Sequence, residues 1–220
     1  MHTHFNKNLL EAGVDEAGRG PVIGPLVVCA FASVSQSDLL ELGVKDSKDL
    51  SVKKREELYD ILSKMPHSVV ICPPERIDNS NNLNTLETIL FAEALSTMPD
   101  GEIMLDACDV DAERFARNVS KLSNKQCQAE HKADENHPEV SAASIIAKVT
   151  RDRIIQQLSD EIGIELGSGY PSDPKTKSAV KELVKGEKPH ECLRWSWKTV
   201  HNAWGGTPPP RPNAKQQTLF

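Results

Sequence analysis

Hydrophobic and polar positions alternate or cluster in five short segments that predict β-strands. Residues 9–15 alternate apolar with polar or small side chains, the period of a strand with one buried face. Residues 22–32 are apolar almost throughout, and a turn through Gly18–Pro21 predicts a hairpin between these two strands. The other predicted strands are "HSVVICPP" (67–74), "EIMLDA" (102–107) and "QCQAEH" (126–131).

Helical periodicity occupies the segments between and after these strands. Ser51 is predicted to cap a helix within residues 47–65. A second helix is predicted to begin with Asn84, which has Glu87 three residues later in the spacing of a capping box. Ser141 is predicted to cap a long third helix. Further helices are predicted near 111–122, 174–186 (after Asp173–Pro174) and 196–203.

The order of these elements predicts an α/β protein with a mixed central sheet flanked by helices. Strands come first and then alternate with helices, whereas the chain after about residue 165 is rich in turns and helical patterns. The predicted organisation is a sheet-containing domain at 1–165, a small helical region at 166–204, and a Pro-rich linker with a tail at 205–220.

Composition favours a folded protein of the cytoplasm. With 38% hydrophobic and 26% charged residues, the 220-residue chain can form a packed core. No apolar run approaches the ~20 residues of a membrane helix, and the start of the chain lacks a signal peptide's pattern. Five scattered cysteines without a CxxC pair indicate reduced thiols rather than disulfides or a zinc site.

Charge is distributed unevenly along the chain. The net charge of −6 argues against a general nucleic-acid binder, but residues 171–220 carry +5 and the first 170 residues carry −11. A basic segment of this kind is either a nucleic-acid contact or a solvated helix rich in lysine. Charge alone leaves both interpretations open.

Carboxylates follow the predicted strands and suggest metal chemistry. Asp15, with Glu16 beside it, closes one strand, Asp106 closes another, and Asp134 follows a third. Clustered carboxylates repel one another and resist desolvation unless a divalent cation neutralises them, and Mg²⁺ or Mn²⁺ prefers such oxygen ligands. Two ions about 4 Å apart activate water and stabilise the leaving oxygen of a phosphodiester. An Asp after a strand is also a common turn or cap residue, so spacing alone does not establish the site.

Longer blocks of sequence resemble the type 2 ribonucleases H, the ribonuclease HII family, and are most like its archaeal members. The blocks occur in the family's order and run from the first strand to residue 176. They are "VDEAGRGPVIGPLVVCA", "GVKDSKDLSVKKREEL" (43–58), "LDACDVD" (105–111), "KADENHPEVSAASIIAKVTRDR" (132–153) and "GSGYPSDPKT" (167–176).

The resemblance implies an RNase H-like fold and a metal-dependent endonuclease. Such an enzyme hydrolyses the RNA strand of RNA–DNA hybrids on the 5′ side of ribonucleotides, including single ribonucleotides in DNA, and leaves 3′-hydroxyl and 5′-phosphate ends. It implies two Mg²⁺ or Mn²⁺ ions per site. The family's catalytic and metal-binding acids fall on Asp15, Glu16, Asp106 and Asp134.

The same resemblance assigns substrate recognition to Gly18, Arg19, Gly20 and Tyr170. The 2′-hydroxyl distinguishes RNA from DNA, and glycines let the main chain approach a sugar closely. Arg19 suits a phosphate, with a structural salt bridge as its alternative. Tyr170 suits the sugar at the RNA–DNA junction, with packing as its alternative.

Basic residues are predicted to bind the phosphates. The candidates are Lys45 and Lys48, together with Ser144 and Lys148 of the long predicted helix, and Lys148 is alternatively a helix-surface lysine. The candidates for gripping the duplex farther away are Lys175, Lys177, Lys181 and Lys185.

The tail "QQTLF" resembles the motif by which replication and repair enzymes dock on the sliding clamp. Gln216 and Leu219 fit that motif, but the sequence stops at Phe220 and lacks its remainder, so a tail without a partner is the alternative. A clamp partner through Gln216–Phe220 and a monomeric enzyme are the expectations.

Three other functions compete with this interpretation. A different two-metal DNA nuclease on the RNase H-like fold would use the same acids, but has no obvious need for the glycines and Tyr170. A nucleotide-binding module would use "AGRGP" as its phosphate loop, although neither GxxxxGK[ST] nor GxGxxG is present. A hybrid-binding protein without catalysis is disfavoured because all four acids are present.

Overall fold

The computed structural model of the chain describes residues 10–33 and 35–211. Within this described part, five strands form one mixed sheet in the order β3-β2-β1-β4-β5. Strand β1 pairs with β4, and β4 with β5, in parallel. The strands are β1 (Leu10–Ala17), β2 (Leu26–Ser33), β3 (His67–Cys72), β4 (Gly101–Asp106) and β5 (Cys127–Glu130).

Helices connect the strands and form the C-terminal part of the described chain, which confirms the predicted fold class. They are α1 (Gln36–Glu41), α2 (Val52–Leu62), α3 (Pro74–Asp78), α4 (Leu83–Leu95), α5 (Ala112–Ser123), α6 (Ala133–Asn136), α7 (Pro138–Ile162), α8 (Pro174–Leu183) and α9 (Lys198–Trp204), with a 3-10 turn at Ser47–Asp49. The short helices α1, α3 and α6 and the 3-10 turn were not predicted. No helix in the described residues is both long enough and apolar enough to cross a membrane.

Two predicted helix caps are confirmed. The Ser51 hydroxyl accepts a hydrogen bond from the main-chain N–H of Lys54 at the start of α2. The Asp173 carboxylate accepts one from the N–H of Lys175 at the start of α8, where Pro174 has no N–H to satisfy. Both caps satisfy N–H groups that a first helical turn leaves without an internal partner.

Two other predicted caps are wrong. The side chain of Asn82, not Asn84, accepts the N–H groups at the start of α4. Helix α7 begins with Pro138 at its first position, so Ser141 lies inside the helix. The Ser141 hydroxyl donates instead to the main-chain oxygen of Asp134, 2.6 Å away.

The second strand is shorter than predicted because its first residues belong to a loop. Strand β2 begins at Leu26, and the preceding residues form main-chain contacts with later parts of the chain. Ile23 makes an isolated antiparallel bridge with Leu193, and the N–H groups of Val22 and Ile23 both donate to the oxygen of Gly169. These contacts shape the loop between β1 and β2.

The chain forms two compact units that interleave along the sequence. Within the described residues, the first comprises 10–16, Val28–Val70 and Glu87–Ala147, and the second comprises Ala17–Val27, Ile71–Leu86 and 148–211. The first unit contains most of the sheet. The second has its own apolar core, in which Ile23, Leu193 and Trp195 are buried.

Candidate functional site

Asp15 and Asp106 stand next to each other on neighbouring parallel strands of the first unit. The register pairs Val14 of β1 with Leu105 of β4, and the two aspartates are the next residue of each strand. Adjacent strands lie about 4.8 Å apart, and paired residues point to the same face. Asp15 is only 4% exposed, while Asp106 is partly exposed at the last position of β4.

Helix α6 brings Asp134 to the end of β4. Lys132 adopts a left-handed conformation with φ of 61°, which turns the chain after β5. The next N–H, of Ala133, donates to the Asp106 carboxylate over 2.9 Å. Asp134, which follows, is 2% exposed, and Ser141 holds its main-chain oxygen.

Burial and mutual repulsion disfavour the ionised form of these acids. Burial raises the pKa of Asp15 well above its ordinary value, the charges of Glu16 and Asp106 raise it further, and a hydrogen bond from Ser144 opposes the rise. Burial also raises the pKa of Asp106, and Asp134 adds to the effect. The N–H of Ala133 opposes that shift.

The carboxylates fit a divalent cation. Among the described residues, the buried Oδ1 of Asp134 has no hydrogen-bond partner. Its other oxygen, Oδ2, accepts from the Lys48 ammonium over 3.1 Å. A buried carboxylate oxygen without a donor, beside acids whose charged forms are disfavoured, is an environment that a hard cation with oxygen ligands would stabilise.

The residues predicted to bind phosphates differ in their surroundings. Lys48 contacts Asp134, and the Ser144 hydroxyl lies 3.0 Å from that of Ser47 and also bonds Asp15. Lys45 is exposed in the segment between α1 and the 3-10 turn. Lys148 pairs with Asp152 one turn along α7.

The loop after β1 lies in the second unit, and its two glycines meet different constraints. Gly18 has φ of +101°, and a Cβ there would lie 2.5 Å from Nε of Arg151, so the fold itself requires glycine. Gly20 is exposed, and a Cβ on it would meet only the Tyr170 ring at an ordinary 3.5 Å. The fold therefore does not explain why residue 20 lacks a side chain.

Arg19 and Tyr170 flank this loop. An Arg19 guanidinium nitrogen donates to the amide oxygen of Asn84 over 2.8 Å. Tyr170 is 40% exposed, and the guanidinium of Arg151 lies 5.7 Å from its ring centroid. The structure thus groups Gly20 with Tyr170 at an exposed surface of the second unit.

Comparison with known proteins shows to which family the chain belongs. The family model described as Ribonuclease HII matches residues 12–200. The chain belongs to the ribonuclease HII family. Ribonuclease HII from Methanocella arvoryzae is 46% identical over 198 residues, which cover 85% of this chain and 88% of that protein.

Solved structures agree with the family. The ribonuclease H2 of Pyrococcus horikoshii OT3 superposes with a TM-score of 0.83 at 40% identity, covering 90% of this chain and 98% of that one. The RNase HII of Archaeoglobus fulgidus, solved in a PCNA:RNase HII complex, gives 0.80 at 42% identity, with 86% and 96% covered. The chain is therefore a ribonuclease H, an endoribonuclease with the RNase H-like fold.

Two side chains beside Glu16 were not predicted as site residues from the sequence. Ligand atoms of Glu16, Glu87 and Cys108 all lie within 4.8 Å of one another, the one such group of three metal-ligand-type residues in the described chain. Glu87 is completely buried on α4, although its spacing predicted a capping box. The sequence contained one signal that Cys108 belongs to the site, namely its position two residues after Asp106.

Proposed function

We propose that this chain hydrolyses the phosphodiester on the 5′ side of ribonucleotides in RNA–DNA hybrids and of single ribonucleotides embedded in DNA. The observation that carries the proposal is the group of carboxylates in which the buried Oδ1 of Asp134 has no donor among the described residues. Cleavage of the P–O3′ bond by water leaves a 3′-hydroxyl on the upstream nucleotide and a 5′-phosphate on the ribonucleotide.

We propose that Asp15, Glu16, Asp106 and Asp134 hold two Mg²⁺ or Mn²⁺ ions. When bound, such ions supply Lewis-acid chemistry, because they lower the pKa of the attacking water and offset charge on the phosphate and the departing oxygen. The four carboxylates would hold the ions in place. Two of these carboxylates are oriented by hydrogen bonds, Asp106 by the Ala133 N–H and Asp15 by the Ser144 hydroxyl.

Recognition of the ribose is proposed for the loop around Gly18, Arg19 and Gly20 together with Tyr170. Gly20 supports this role because its lack of a side chain has no structural explanation. An exposed main chain at residue 20 offers an N–H group to a sugar, and the Tyr170 ring offers a flat surface beside it. Contacts to phosphates are proposed for Arg19, Lys45, Lys48, Ser144 and Lys148.

Cleavage of a defined duplex tests the function. Wild-type protein with Mg²⁺ or Mn²⁺ should cut a DNA duplex with one ribonucleotide at the bond 5′ of that residue and leave an all-DNA duplex intact. Asp15→Asn should lower kcat by more than ~100-fold while duplex binding persists, because groups that only orient metal ligands already contribute 10–100-fold. Product mapping at nucleotide resolution is the measurement.

Glycine variants give this assay a matched control. Gly20→Ala should fold normally and lose ribonucleotide cleavage, whereas Gly186→Ala, whose new Cβ also meets only ordinary contacts, should fold and keep it. An active Asp15→Asn enzyme would exclude the metal assignment. Cleavage of the all-DNA duplex would instead favour a DNA nuclease on the same fold.

We further propose a sliding clamp as partner, because the Archaeoglobus fulgidus relative was solved in a PCNA:RNase HII complex. Residues Gln216–Phe220, which lie outside the described residues, are the proposed docking segment. A monomeric enzyme is also proposed, as is a cytoplasmic location, which the five free cysteines support. The functional division proposed is catalysis in 1–165, duplex contact in 166–204 and the linker and tail in 205–220.

A further inference from the structure

A buried arginine far along the sequence contacts the loop proposed to recognise ribose. Arg194 has 0% exposure. Its Nη2 donates to the main-chain oxygen of Gly18 over 2.5 Å, and its Nη1 donates to that of Arg19 over 2.9 Å. Its Nε donates to the oxygen of Gly24 over 3.1 Å. One guanidinium thus binds three carbonyl groups of a single loop.

These contacts determine which way the peptide N–H groups point. In a planar trans peptide the N–H is directed opposite to the C=O of the same unit. With the oxygens of Gly18 and Arg19 turned to the buried guanidinium, the N–H groups of Arg19 and Gly20 are directed away from it. Gly20 is exposed, so that direction leads to the surface that it shares with Tyr170.

We propose that Arg194 is a positioning residue for ribose recognition, because it fixes the Gly18 and Arg19 carbonyls and thereby directs the N–H groups of Arg19 and Gly20 toward the 2′-hydroxyl and adjoining phosphate. The inference rests on the proposed function of the loop. It adds that discrimination between RNA and DNA depends on a buried side chain from the C-terminal segment.

The chemistry of the guanidinium group suits this role. Its planar set of donors bonds several carbonyls at fixed angles, which the compact ammonium of lysine cannot reproduce. Burial and the nearby Arg151 lower the pKa of Arg194 to about 10, so the group stays charged at neutral pH. Trp197 supports it from the side, with the guanidinium carbon 5.0 Å from the ring centroid.

The proposal is tested by measuring substrate discrimination, because a loss of stability alone does not change this quantity. For Arg194→Lys, kcat/KM is measured on duplexes with one ribonucleotide or one 2′-deoxy-2′-fluoronucleotide at the same position. We expect the ratio of the two values to fall about 10- to 100-fold, because misplaced recognition groups lower the rate for the correct substrate. Mg²⁺ affinity, measured by calorimetry, should stay at the wild-type value.

Arg211→Lys is the matched control. The Arg211 side chain is also largely buried, at 6% exposure, and pairs with Asp78 over 2.7 Å. Its main-chain contacts are the oxygens of Glu191 and Leu193, not those of the recognition loop. The substrate ratio of Arg211→Lys should equal the wild-type ratio. An equal fall in both variants would show a merely structural role and overturn the proposal.

Further variants separate this inference from the function on which it rests. If Gly20→Ala lowers the substrate ratio and Arg194→Lys does not, the positioning role is wrong and the loop's function stands. If Gly20→Ala leaves the ratio unchanged, the proposed recognition function fails. Should Arg194→Lys not fold, the neutral Arg194→Gln carries the same measurement, and an unchanged ratio there also overturns the proposal.

Discussion

At the scale of single residues, Asp15 combines two properties that normally exclude each other. It is almost completely buried, and it has a second carboxylate beside it in the chain and a third on the adjacent strand. Desolvation and repulsion both disfavour its charged form, which is why its pKa lies well above the ordinary value. A buried carboxylate of this kind lowers the stability of the folded chain, but it places negative charge where a divalent cation would bind.

The first prediction concerns how this loss of stability depends on pH. A carboxyl whose pKa is raised on folding destabilises the protein above its folded pKa, and the cost disappears below its unfolded pKa of about 3.9. In metal-free buffer, Asp15→Asn should therefore unfold at a higher temperature than wild type at pH 8. The difference should shrink as the pH falls toward 4. A gain of about 1 kcal/mol corresponds to ~2–4 °C, which calorimetry resolves.

Asp100→Asn is the control for this experiment. Asp100 is exposed, and a hydrogen bond from Lys125 lowers its pKa, so its neutralisation should not stabilise the protein at pH 8. A lower or unchanged melting temperature for Asp15→Asn at pH 8 would contradict the assignment of an unfavourable charge to Asp15.

At the scale of elements, local rules predicted the sheet and the long helices but not every helix end. Ser51 and Asp173 cap the helices that follow them because side-chain oxygens satisfy the first free N–H groups. The caps predicted at Asn84 and Ser141 failed because Asn82 and Pro138 lie upstream and fit the same requirement better. Sequence spacing does not rank two neighbouring residues that are both suited to a helix start.

The ion pairs at helix α8 distinguish among the lysines of the basic C-terminal segment that is predicted to contact the duplex. Lys175 pairs with Glu165 and Lys185 with Glu182, whereas Lys177 and Lys181 have no carboxylate partner among the described residues. A lysine held by a carboxylate has less capacity to neutralise a phosphate. Of the four lysines predicted to contact the duplex, Lys177 and Lys181 are therefore the two that we still expect to do so.

The second prediction is a change in salt dependence when this pair is neutralised. Lys177→Gln/Lys181→Gln should weaken duplex binding and reduce the slope of log Kd against log salt by about 1 for each phosphate that the variant no longer neutralises. The turnover number should stay near wild type, because neither lysine belongs to the acid cluster. Fluorescence anisotropy in metal-free buffer at several salt concentrations measures the slope.

A second double variant removes the same charge from the same region. Lys175→Gln/Lys185→Gln changes the net charge equally but acts on lysines already paired with carboxylates. Its salt slope should remain close to that of the wild type. Equal slopes for both double variants would show that net charge, not contact by Lys177 and Lys181, determines binding.

At the scale of the whole molecule, the limits of sequence reasoning follow from the interleaved chain. Sequence blocks led to the prediction of a site at Asp15, Glu16, Asp106 and Asp134, and strand register shows that the first and third of these are neighbours. Arg194 gave no local signal, since a buried arginine and a solvated one have the same letter and its partner loop lies about 170 residues earlier. The buried position of Glu87 likewise required the folded chain.

The last prediction concerns the tail, which the sequence places after a Pro-rich linker. If Gln216–Phe220 docks on a PCNA-type sliding clamp, deletion of residues 214–220 should weaken binding to that clamp at least about 10-fold, because short docking peptides depend on a few buried anchors. Cleavage of a short duplex without clamp should not change, because the acids proposed to bind the metal ions lie in the first unit. Leu219→Ala should reproduce the loss and Gln217→Ala, outside the fitted motif, should not. Undiminished clamp binding by the deleted chain would assign the docking to another surface of the enzyme.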